Sequence, residues 1–173
     1  MKQELLNELL VRAGRYTAKY EKSAKEVRDK LFQWSEEELT HSEADHIIEQ
    51  LTAEKFIDEE RYVERYLADK LEMHKKGPWL IRQELLTKGI AEKLIDKAFS
   101  NVADSEWEEA LRSYILPRFD RIKSRSKNKT DLYYKLKDAA FRRGFSHDLF
   151  SKVYDKSLHR LIEKCDELDE GME

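Results

Sequence analysis

The sequence predicts an all-α protein, and three observations support that prediction. Charged residues make up 40% of the 173-residue chain and apolar residues another 40%, whereas Gly and Pro number only 5 and 2. Apolar side chains recur at helical spacing in one segment after another. No segment of the sequence alternates apolar and polar residues over a length that would suggest a β-sheet. We therefore expect amphipathic helices joined by short turns.

The first two helices have clear boundaries. An apolar stripe at helical spacing runs through residues 3–21. Ser23, followed three residues later by Glu26, forms a capping box, so a second helix should begin there and end near Trp34. The apolar residues that we expect these two helices to bury are Leu5, Leu6, Leu9, Leu10, Ala13, Tyr16, Tyr20, Val27, Leu31 and Phe32.

A polar link, residues 35–42, leads to the third helix. Ser42 followed by Asp45 should supply its cap, because short polar side chains accept hydrogen bonds from the first turn. Its apolar face consists of Ile47, Ile48 and Leu51. The link belongs to an acidic section, residues 36–60, in which 10 acidic residues stand against one Lys, a net charge of −9. This section should present a strongly negative surface.

The segment 56–99 contains three further helices with sharp boundaries. Asp58 should cap the first of them, and Pro78 after Gly77 is placed to begin the second. Gly89 should end that second helix at a positive φ, which glycine adopts without strain. The apolar stripes, which we expect to be core, are Tyr62, Val63, Tyr66, Leu67 and Leu71, then Trp79, Ile81, Leu85 and Leu86, then Ile90, Leu94, Ile95, Ala98 and Phe99.

The remainder of the chain repeats this plan. Asp104 or Ser105 should cap a helix that Pro117 kinks or splits. The most loop-like stretch, residues 124–129, precedes another helix, which Gly144 should end at a positive φ. The apolar stripes here are Trp107, Ala110, Leu111, Tyr114, Ile115, Phe119, Leu132, Leu136, Ala140, Phe141, Leu149, Val153 and Leu158.

The helical patterns recur with a period near 50 residues. Val27 and Leu31 lie 54 residues before Ile81 and Leu85. Units of this size cannot bury an apolar face alone, so they stack, and each touches only its neighbours. We therefore predict nine helices in three tandem three-helix repeats that form an elongated array. The predicted divisions are repeat 1 at 1–55, repeat 2 at 56–102, repeat 3 at 103–160, and an acidic, frayed tail at 161–173.

The central segment resembles the middle repeat of the RecX family, the regulators of the RecA recombinase. The likeness lies in the motif FIDEERY at 56–62, in Gly77 and Ile81, in the run ELLTKGI at 84–90, and in Ile95. It is strongest over about 45 residues and extends more weakly over most of the chain. It implies a curved array of repeats. It also implies a non-enzymatic regulator that binds the RecA filament on single-stranded DNA and most commonly inhibits ATP hydrolysis and strand exchange.

The residues that carry chemistry in enzymes form no convergent motif in this sequence. There is no Gly-rich phosphate loop, no metal-spaced Cys/His set and no nucleophile elbow, and the five histidines are scattered. We therefore expect no enzyme activity, no cofactor and no metal. Cys165 is the only cysteine, which fits a reducing cytoplasm. With no signal-peptide pattern and no apolar stretch long enough to span a membrane, we expect a cytoplasmic protein. We separately expect a monomer that binds DNA directly only weakly.

A basic section, residues 112–143, complements the acidic one. It carries 11 Lys and Arg residues against 3 Asp, a net charge of +8. A groove lined by cations can follow a phosphate backbone or an acidic protein surface. We therefore expect the third repeat to face RecA or DNA, and the central repeat to contact adjacent RecA protomers. The candidate contact residues are cations offset from the apolar stripes: Arg61, Arg65, Lys75, Lys76, Arg82, Lys88, Arg121, Lys123, Arg125, Lys127, Lys129, Lys135, Arg142 and Arg143.

Two alternatives remain open at this point. One is a stand-alone DNA-binding protein, because the helices 78–88 and 91–99 could form a helix-turn-helix-like pair, and Trp79, Tyr133 and Tyr134 could stack on bases. The second of those helices has only two cations, and a pI near 6.0 argues against DNA as the main partner. The other alternative is a purely structural scaffold of helical repeats. Aromatic residues at helical spacing beside Leu and Ile are more often core than contact residues.

Overall fold

The computed structural model describes residues 2–36, 38–165 and 168, and the described residues form nine helical segments and no strand. The prediction of an all-α fold is therefore confirmed. The helices are α1 (Lys2–Lys19), α2 (Ala24–Trp34), α3 (His41–Ala53), α4 (Glu59–Ala68, continued by Asp69–Met73), α5 (Pro78–Thr87), α6 (Glu92–Ser100), α7 (Asp104–Ile115, then Leu116–Arg118 and Phe119–Lys123), α8 (Lys129–Arg142) and α9 (His147–Val153, then Tyr154–Leu158 and His159–Glu163). The tail predicted to be frayed, with Asp166, Glu167, Asp169, Glu170 and Glu173, lies outside the described residues.

Several helix starts agree with the sequence. The Ser23 hydroxyl accepts from the Glu26 amide at 3.2 Å, and the Glu26 carboxylate accepts from the Ser23 amide at 3.0 Å, which is the predicted capping box. The Asp58 carboxylate accepts from the Arg61 amide at 3.0 Å, and Pro78 is the first residue of α5. The caps predicted at Ser23 and Asp58 and the start at Pro78 are confirmed.

The cap of α3 differs from the prediction. Thr40, and not Ser42, precedes the helix: its hydroxyl accepts from the Glu43 amide at 3.3 Å, and the Glu43 carboxylate accepts from the Thr40 amide at 2.9 Å. A glutamate three residues after the threonine makes this reciprocal pair possible, whereas Asp45 cannot make it with Ser42. Hydrogen bonds from Lys2 and from Thr40 together lower the pKa of Glu43 to about 2. The preceding link is also less polar than predicted, because Leu39 is buried in it.

Helix α7 also begins earlier than predicted. Ala103 occupies the cap position, and the Glu106 carboxylate accepts from its amide at 2.9 Å. Asp104 and Ser105, the predicted caps, therefore lie in the first turn, where Asp104 still complements the helix dipole. Pro117 interrupts the helix with a single 3₁₀ turn, as predicted. Helices α4 and α9 each contain a five-residue π-helical turn that the sequence did not indicate.

The described residues pack as two compact units. One comprises the chain up to Tyr66 together with Glu84–Ala98, and the other comprises Leu67–Gln83 together with the chain from Phe99 onward. The three-repeat division at residues 55 and 102 stays a prediction. No helix among the described residues has the length and apolar character that a membrane crossing requires.

The first unit has its main core between α1, α2 and α3. Its buried residues are Leu9, Ala13, Val27, Leu31, Leu39, Ala44, Ile47, Ile48, Leu51 and Ile57. Tyr16 packs edge-on against Trp34 with ring centroids 5.6 Å apart. Tyr20, which the apolar stripe predicted as core, is 64% exposed because α1 ends one residue before it.

The turn after α5 packs on the start of α2 in this unit. The Ser23 hydroxyl donates to the Lys88 carbonyl at 3.0 Å, and the Lys88 ammonium lies 3.2 Å from the Glu26 carboxylate. Gly89 has φ +79°, and a Cβ added to it would lie 3.1 Å from Cβ of Lys25. The turn after α5 therefore closes over the capping box of α2.

The second unit contains the equivalent turn. The Gly77 amide donates to the Arg143 carbonyl at 2.8 Å, and the Trp79 amide donates to the Gly144 carbonyl at 3.1 Å. Gly144 has φ +91°, as predicted from its place after α8. Thus the turn after α8 packs on the start of α5 as the turn after α5 packs on the start of α2.

An aromatic cluster completes the core of the second unit. Tyr133 of α8 lies edge-on to Phe150 and Tyr154 of α9, with centroids 5.6 and 4.9 Å apart. Its neighbour Tyr134 is 56% exposed. The fully buried aliphatic side chains of the second unit include Leu111, Ile115, Leu132 and Leu136.

Candidate functional site

A cationic groove with a volume of about 440 Å³ lies between α7 and α8 in the second unit. We call it the basic groove, and its lining residues are Tyr114, Arg118, Arg121, Ile122, Arg125, Lys135, Asp138, Ala139 and Arg142. The 3₁₀ turn at Pro117 continues α7 into a short helix, and this continuation packs on α8. Residues up to 28 positions apart in the chain, Tyr114 and Arg142, are thereby brought to one site. Five cations and one carboxylate line the groove, so it should attract anions.

Three guanidinium groups are available for a ligand in the basic groove. Arg121, Arg125 and Arg142 are exposed, and their side chains form no ion pair with other described residues. A guanidinium presents two parallel N–H donors to a phosphate or a carboxylate, which makes it the strongest recognition group for either. The groove can therefore bind a phosphate backbone or an acidic protein surface.

Lys135 has a supporting role in the groove. Its ammonium lies 2.7 Å from the Asp131 carboxylate and also donates to the Arg125 carbonyl. Hydrogen bonds from the Lys135 ammonium and the Lys127 amide lower the pKa of Asp131. Lys135 thus links α8 to the loop that carries Arg125, and part of its charge is already neutralised.

Arg118 and Tyr114 line the basic groove, although the sequence did not indicate either as a contact residue. Arg118 donates to the Tyr114 carbonyl at 2.8 Å, and its guanidinium lies 4.1 Å from the centroid of the Tyr114 ring. The guanidinium of Arg143 lies 5.1 Å from the same centroid. Tyr114 was predicted only as core. The usable signal was the spacing of four residues between Tyr114 and Arg118, which places both on one face of a helix.

The other predicted cations of the third repeat do not line the groove. Lys123 and Lys127 lie outside it, and Lys129 donates to the Glu163 carbonyl at 3.1 Å. Arg143 is half-buried, and its guanidinium donates to the carbonyls of Lys75, at 3.1 Å, and His74. Arg143 therefore holds the turn before α5 in place.

Three predicted cations of the central segment belong to the first unit. Arg61 lies 2.7 Å from the Glu21 carboxylate, and its hydrogen bond to that carboxylate raises the pKa of Arg61. Lys88 pairs with Glu26 as described above. Arg65 is exposed, with a longer separation of 3.6 Å from Glu21. Of these three, Arg65 presents the most accessible charge.

Lys75, Lys76 and Arg82 belong to the second unit. Lys75 and Lys76 are half-buried in the turn that precedes Gly77, and the Lys76 amide donates to the Lys70 carbonyl at 2.9 Å. Arg82 lies 5.5 Å from the centroid of the Phe99 ring. None of the three lines the basic groove, so the predicted cations do not form a single patch within the second unit.

An apolar pocket with a volume of about 410 Å³ lies at the turn between α8 and α9. Its lining residues are Pro78, Trp79, Phe141, Gly144, Phe145, Ser146 and His147. The predictions that Trp79 and Phe141 are core residues are wrong, because Trp79 is 62% exposed and Phe141 is 40% exposed. The start of α5 packs on Gly144 through its backbone, which leaves the Trp79 ring free of the core.

Metal-binding geometry is not found in the part of the chain that the structure describes, where no three His, Cys, Asp or Glu side chains are placed to share an ion. Cys165 is buried and its thiol lies 3.1 Å from the Leu161 carbonyl.

Comparisons with known proteins agree on one family. The family model described as "RecX, second three-helix domain" matches residues 58–98. The chain is 32% identical over 133 residues to the "Regulatory protein RecX" of Streptococcus uberis, an alignment that covers 76% of this chain and 48% of the relative. It is 31% identical over 144 residues to the protein of the same name from Clostridium acetobutylicum, covering 82% and 65%. The chain thus spans about half to two-thirds of the length of these relatives.

Solved structures show the same fold. The crystal structure of RecX from Lactobacillus salivarius superposes with a TM-score of 0.79 at 22% sequence identity, covering 89% of this chain and 97% of that one. A second structure, of a regulatory protein RecX, superposes with a TM-score of 0.80 at 22% identity, covering 89% of this chain and 75% of that one.

Proposed function

The chain belongs to the RecX family, and we propose that it regulates the RecA recombinase by binding the RecA filament on single-stranded DNA. Binding restrains filament growth, ATP hydrolysis and strand exchange. The family resemblance indicates the partner, and the cations of the basic groove are the groups that would contact it.

The observation that carries the proposed function is the set of three guanidinium groups in the basic groove that form no ion pair with other described residues. A RecA filament on DNA offers both phosphates and carboxylates. Arg121, Arg125 and Arg142 lie together around a concave surface and can engage either group bidentately. Other exposed cations, such as Arg65, add weaker contacts. Several modest contacts from one chain to neighbouring protomers combine into avidity that no single contact provides.

Filament binding by groove variants tests this proposal. Fluorescence anisotropy of a labelled single-stranded oligonucleotide coated with the cognate RecA would report binding of the chain. Arg121→Glu/Arg142→Glu should weaken binding about tenfold or more, because each lost charge contact is worth on the order of 1 kcal/mol. The matched control is Lys127→Glu/Arg160→Glu, which makes the same charge change at exposed positions outside the groove. An equal loss of filament affinity in both variants would show that binding depends on net charge and not on the basic groove.

Arg143 is unsuitable for this test, although the sequence placed it beside Arg142. Its guanidinium holds the carbonyls of His74 and Lys75, so Arg143→Glu would disturb the fold of the second unit as well as any contact. Arg142 is exposed and changes charge without that effect.

The alternative function is that of a stand-alone helical DNA-binding protein. The exposure of Trp79 and Tyr134 favours it, since exposed aromatic rings can stack on the bases of single-stranded DNA. Under this alternative, naked oligonucleotide would bind as tightly as the RecA-coated one, and Trp79→Ala/Tyr134→Ala would abolish the interaction.

A further inference from the structure

We propose that the apolar pocket at Trp79 and Phe141 is a docking site for an acidic peptide segment of a protein partner. One large apolar side chain of the segment enters the pocket, and carboxylates beside it meet the surrounding cations. This contact goes beyond the proposed function: it is chemically distinct from the basic groove and does not depend on which protein supplies the segment.

The base of the pocket is rigid. Phe145 is buried, and the Gly144 carbonyl accepts a hydrogen bond from the Trp79 amide at 3.1 Å. The Gly77 amide donates to the Arg143 carbonyl at 2.8 Å. Two backbone hydrogen bonds therefore hold the start of α5 against the turn after α8. A preformed site loses little conformational entropy when a ligand binds, so more of the binding energy appears as affinity.

The walls of the pocket expose apolar surface that is costly in water. Trp79 is 62% exposed and Phe141 is 40% exposed, and they face the same concave site. Exposed apolar residues that converge on one pocket mark binding sites, unlike those scattered singly over a surface. A volume of about 410 Å³ accommodates one large aliphatic or aromatic side chain with part of the adjoining backbone.

The charges around the pocket determine the kind of segment. The Lys137 ammonium lies 5.5 Å from the centroid of the Phe141 ring. Arg142 follows Phe141 on the same helix and lines the basic groove with Arg121. The end of α8 therefore places an apolar wall beside two cations that form no ion pair with other described residues. This arrangement complements a peptide in which an apolar residue is flanked by Asp or Glu.

The lining favours an apolar side chain over a nucleotide base. Trp79 offers an exposed aromatic face on which a base could stack, but reading a base needs free donors and acceptors as well. Besides the indole N–H of Trp79, the polar side chains of the lining among the described residues are Ser146 and His147. The Ser146 hydroxyl accepts from the Leu149 amide at 3.3 Å, and His147 Nδ1 lies 3.3 Å from the Ser151 hydroxyl. The Gly144 carbonyl is already bonded to Trp79. An apolar side chain carries no polar group that would lack a hydrogen-bond partner inside this pocket.

A panel of synthetic peptides tests the inference directly. Each labelled twelve-residue peptide consists of Asp and Glu with one central Leu, Phe or Trp, and the reference peptide has Ala at that position. At least one anchored peptide should bind about tenfold more tightly than the Ala reference by fluorescence anisotropy, as expected for burial of one large apolar side chain. The inference is overturned if no member of the panel binds more tightly than the reference.

Variants locate the binding. Trp79→Ala and Phe141→Ala should each weaken the best anchored peptide about tenfold, whereas Tyr134→Ala, an exposed aromatic residue of α8 outside the pocket, should leave it unchanged. With the chain labelled with 5-fluorotryptophan, the ¹⁹F resonance that disappears in Trp79→Phe should shift on titration with the peptide. Equal effects of Trp79→Ala and Tyr134→Ala would overturn the assignment of the peptide to the pocket. Displacement of the peptide by an oligo-dT of matched length, with loss of the Trp79 shift, would assign the pocket to nucleic acid instead.

Discussion

Gly77 and Gly144 lie in direct backbone contact. A Cβ atom on Gly77 would lie 2.2 Å from the carbonyl carbon of Gly144, and a Cβ atom on Gly144 would lie 2.7 Å from the Leu80 amide nitrogen. Neither position can accept a side chain without movement of the main chain. The two glycines therefore allow the turn after α8 to pack on the start of α5, and the apolar pocket is built on this contact.

Replacement of either glycine should destabilise the protein strongly. Gly77→Ala and Gly144→Ala force two backbone segments apart, and Gly144 additionally has φ +91°, so we expect a loss of about 2–3 kcal/mol in the free energy of unfolding. Urea unfolding followed by circular dichroism measures it. Gly14→Ala is the control: it lies within α1 with only ordinary contact to Leu51 and should stabilise the protein by up to about 1 kcal/mol. A Gly77→Ala protein with the same free energy of unfolding as wild type would contradict the close backbone contact between Gly77 and Gly144.

The cap of α3 provides a second prediction. Thr40→Ala should lower the free energy of unfolding by about 1 kcal/mol, because the Glu43 amide loses its hydrogen-bond acceptor. Ser42→Ala should change it by less than about 0.5 kcal/mol, since Ser42 is exposed within the first turn. A larger loss in the free energy of unfolding for Ser42→Ala than for Thr40→Ala would show that Ser42 caps α3, as the sequence suggested.

The Glu26 carboxylate should make stability depend on acidic pH. Burial alone would raise its pKa, but hydrogen bonds from the Ser23 amide and Lys88 outweigh burial and hold the pKa below its ordinary value of 4.5. A lowered folded-state pKa means that the stabilisation is fully present above pH 4.5 and is lost as the pH falls through the folded-state pKa. Glu26→Gln should reduce stability at pH 7 and flatten its decline below pH 4.5.

Urea unfolding at pH 7 and pH 3 measures this pH effect. Glu49→Gln, on the exposed face of α3, serves as control and should leave the free energy of unfolding within about 0.5 kcal/mol of wild type at both values. A Glu26→Gln protein whose stability falls with acid as steeply as wild type would show that Glu26 is not responsible.

Local signals predicted much of the fold. The caps at Ser23 and Asp58, the start at Pro78 and the positive φ of Gly89 each depend on a few neighbouring residues, and all four agree with the structure. The cap of α3 was predicted wrongly because two candidate cap residues lie close together. Thr40 forms the capping box with Glu43, whereas the prediction chose Ser42. The π-helical turns have no comparable sequence signature, because they depend on packing of the whole helix.

The candidate sites depend on contacts between distant residues, and sequence patterns could not resolve them. Helical spacing identifies an apolar stripe but does not show where packing leaves part of it uncovered, so Trp79 and Phe141 were wrongly predicted as core. Charge counting located the basic section. It could not show that Arg121 and Arg142 converge in one groove while Arg143 is engaged with backbone carbonyls. That distinction required the geometry of α7 and α8.

The most direct test of the central claim is ATP hydrolysis by the cognate RecA on single-stranded DNA, titrated with this chain at low and moderate salt. We expect inhibition at substoichiometric amounts of the chain, weaker at the higher salt concentration, because charged contacts are screened. Arg121→Glu/Arg142→Glu should require about tenfold more protein for half inhibition, and Lys127→Glu/Arg160→Glu should match wild type. Unchanged hydrolysis together with tight binding of the chain to naked DNA would contradict RecA regulation and favour a DNA-binding protein that shares the RecX fold.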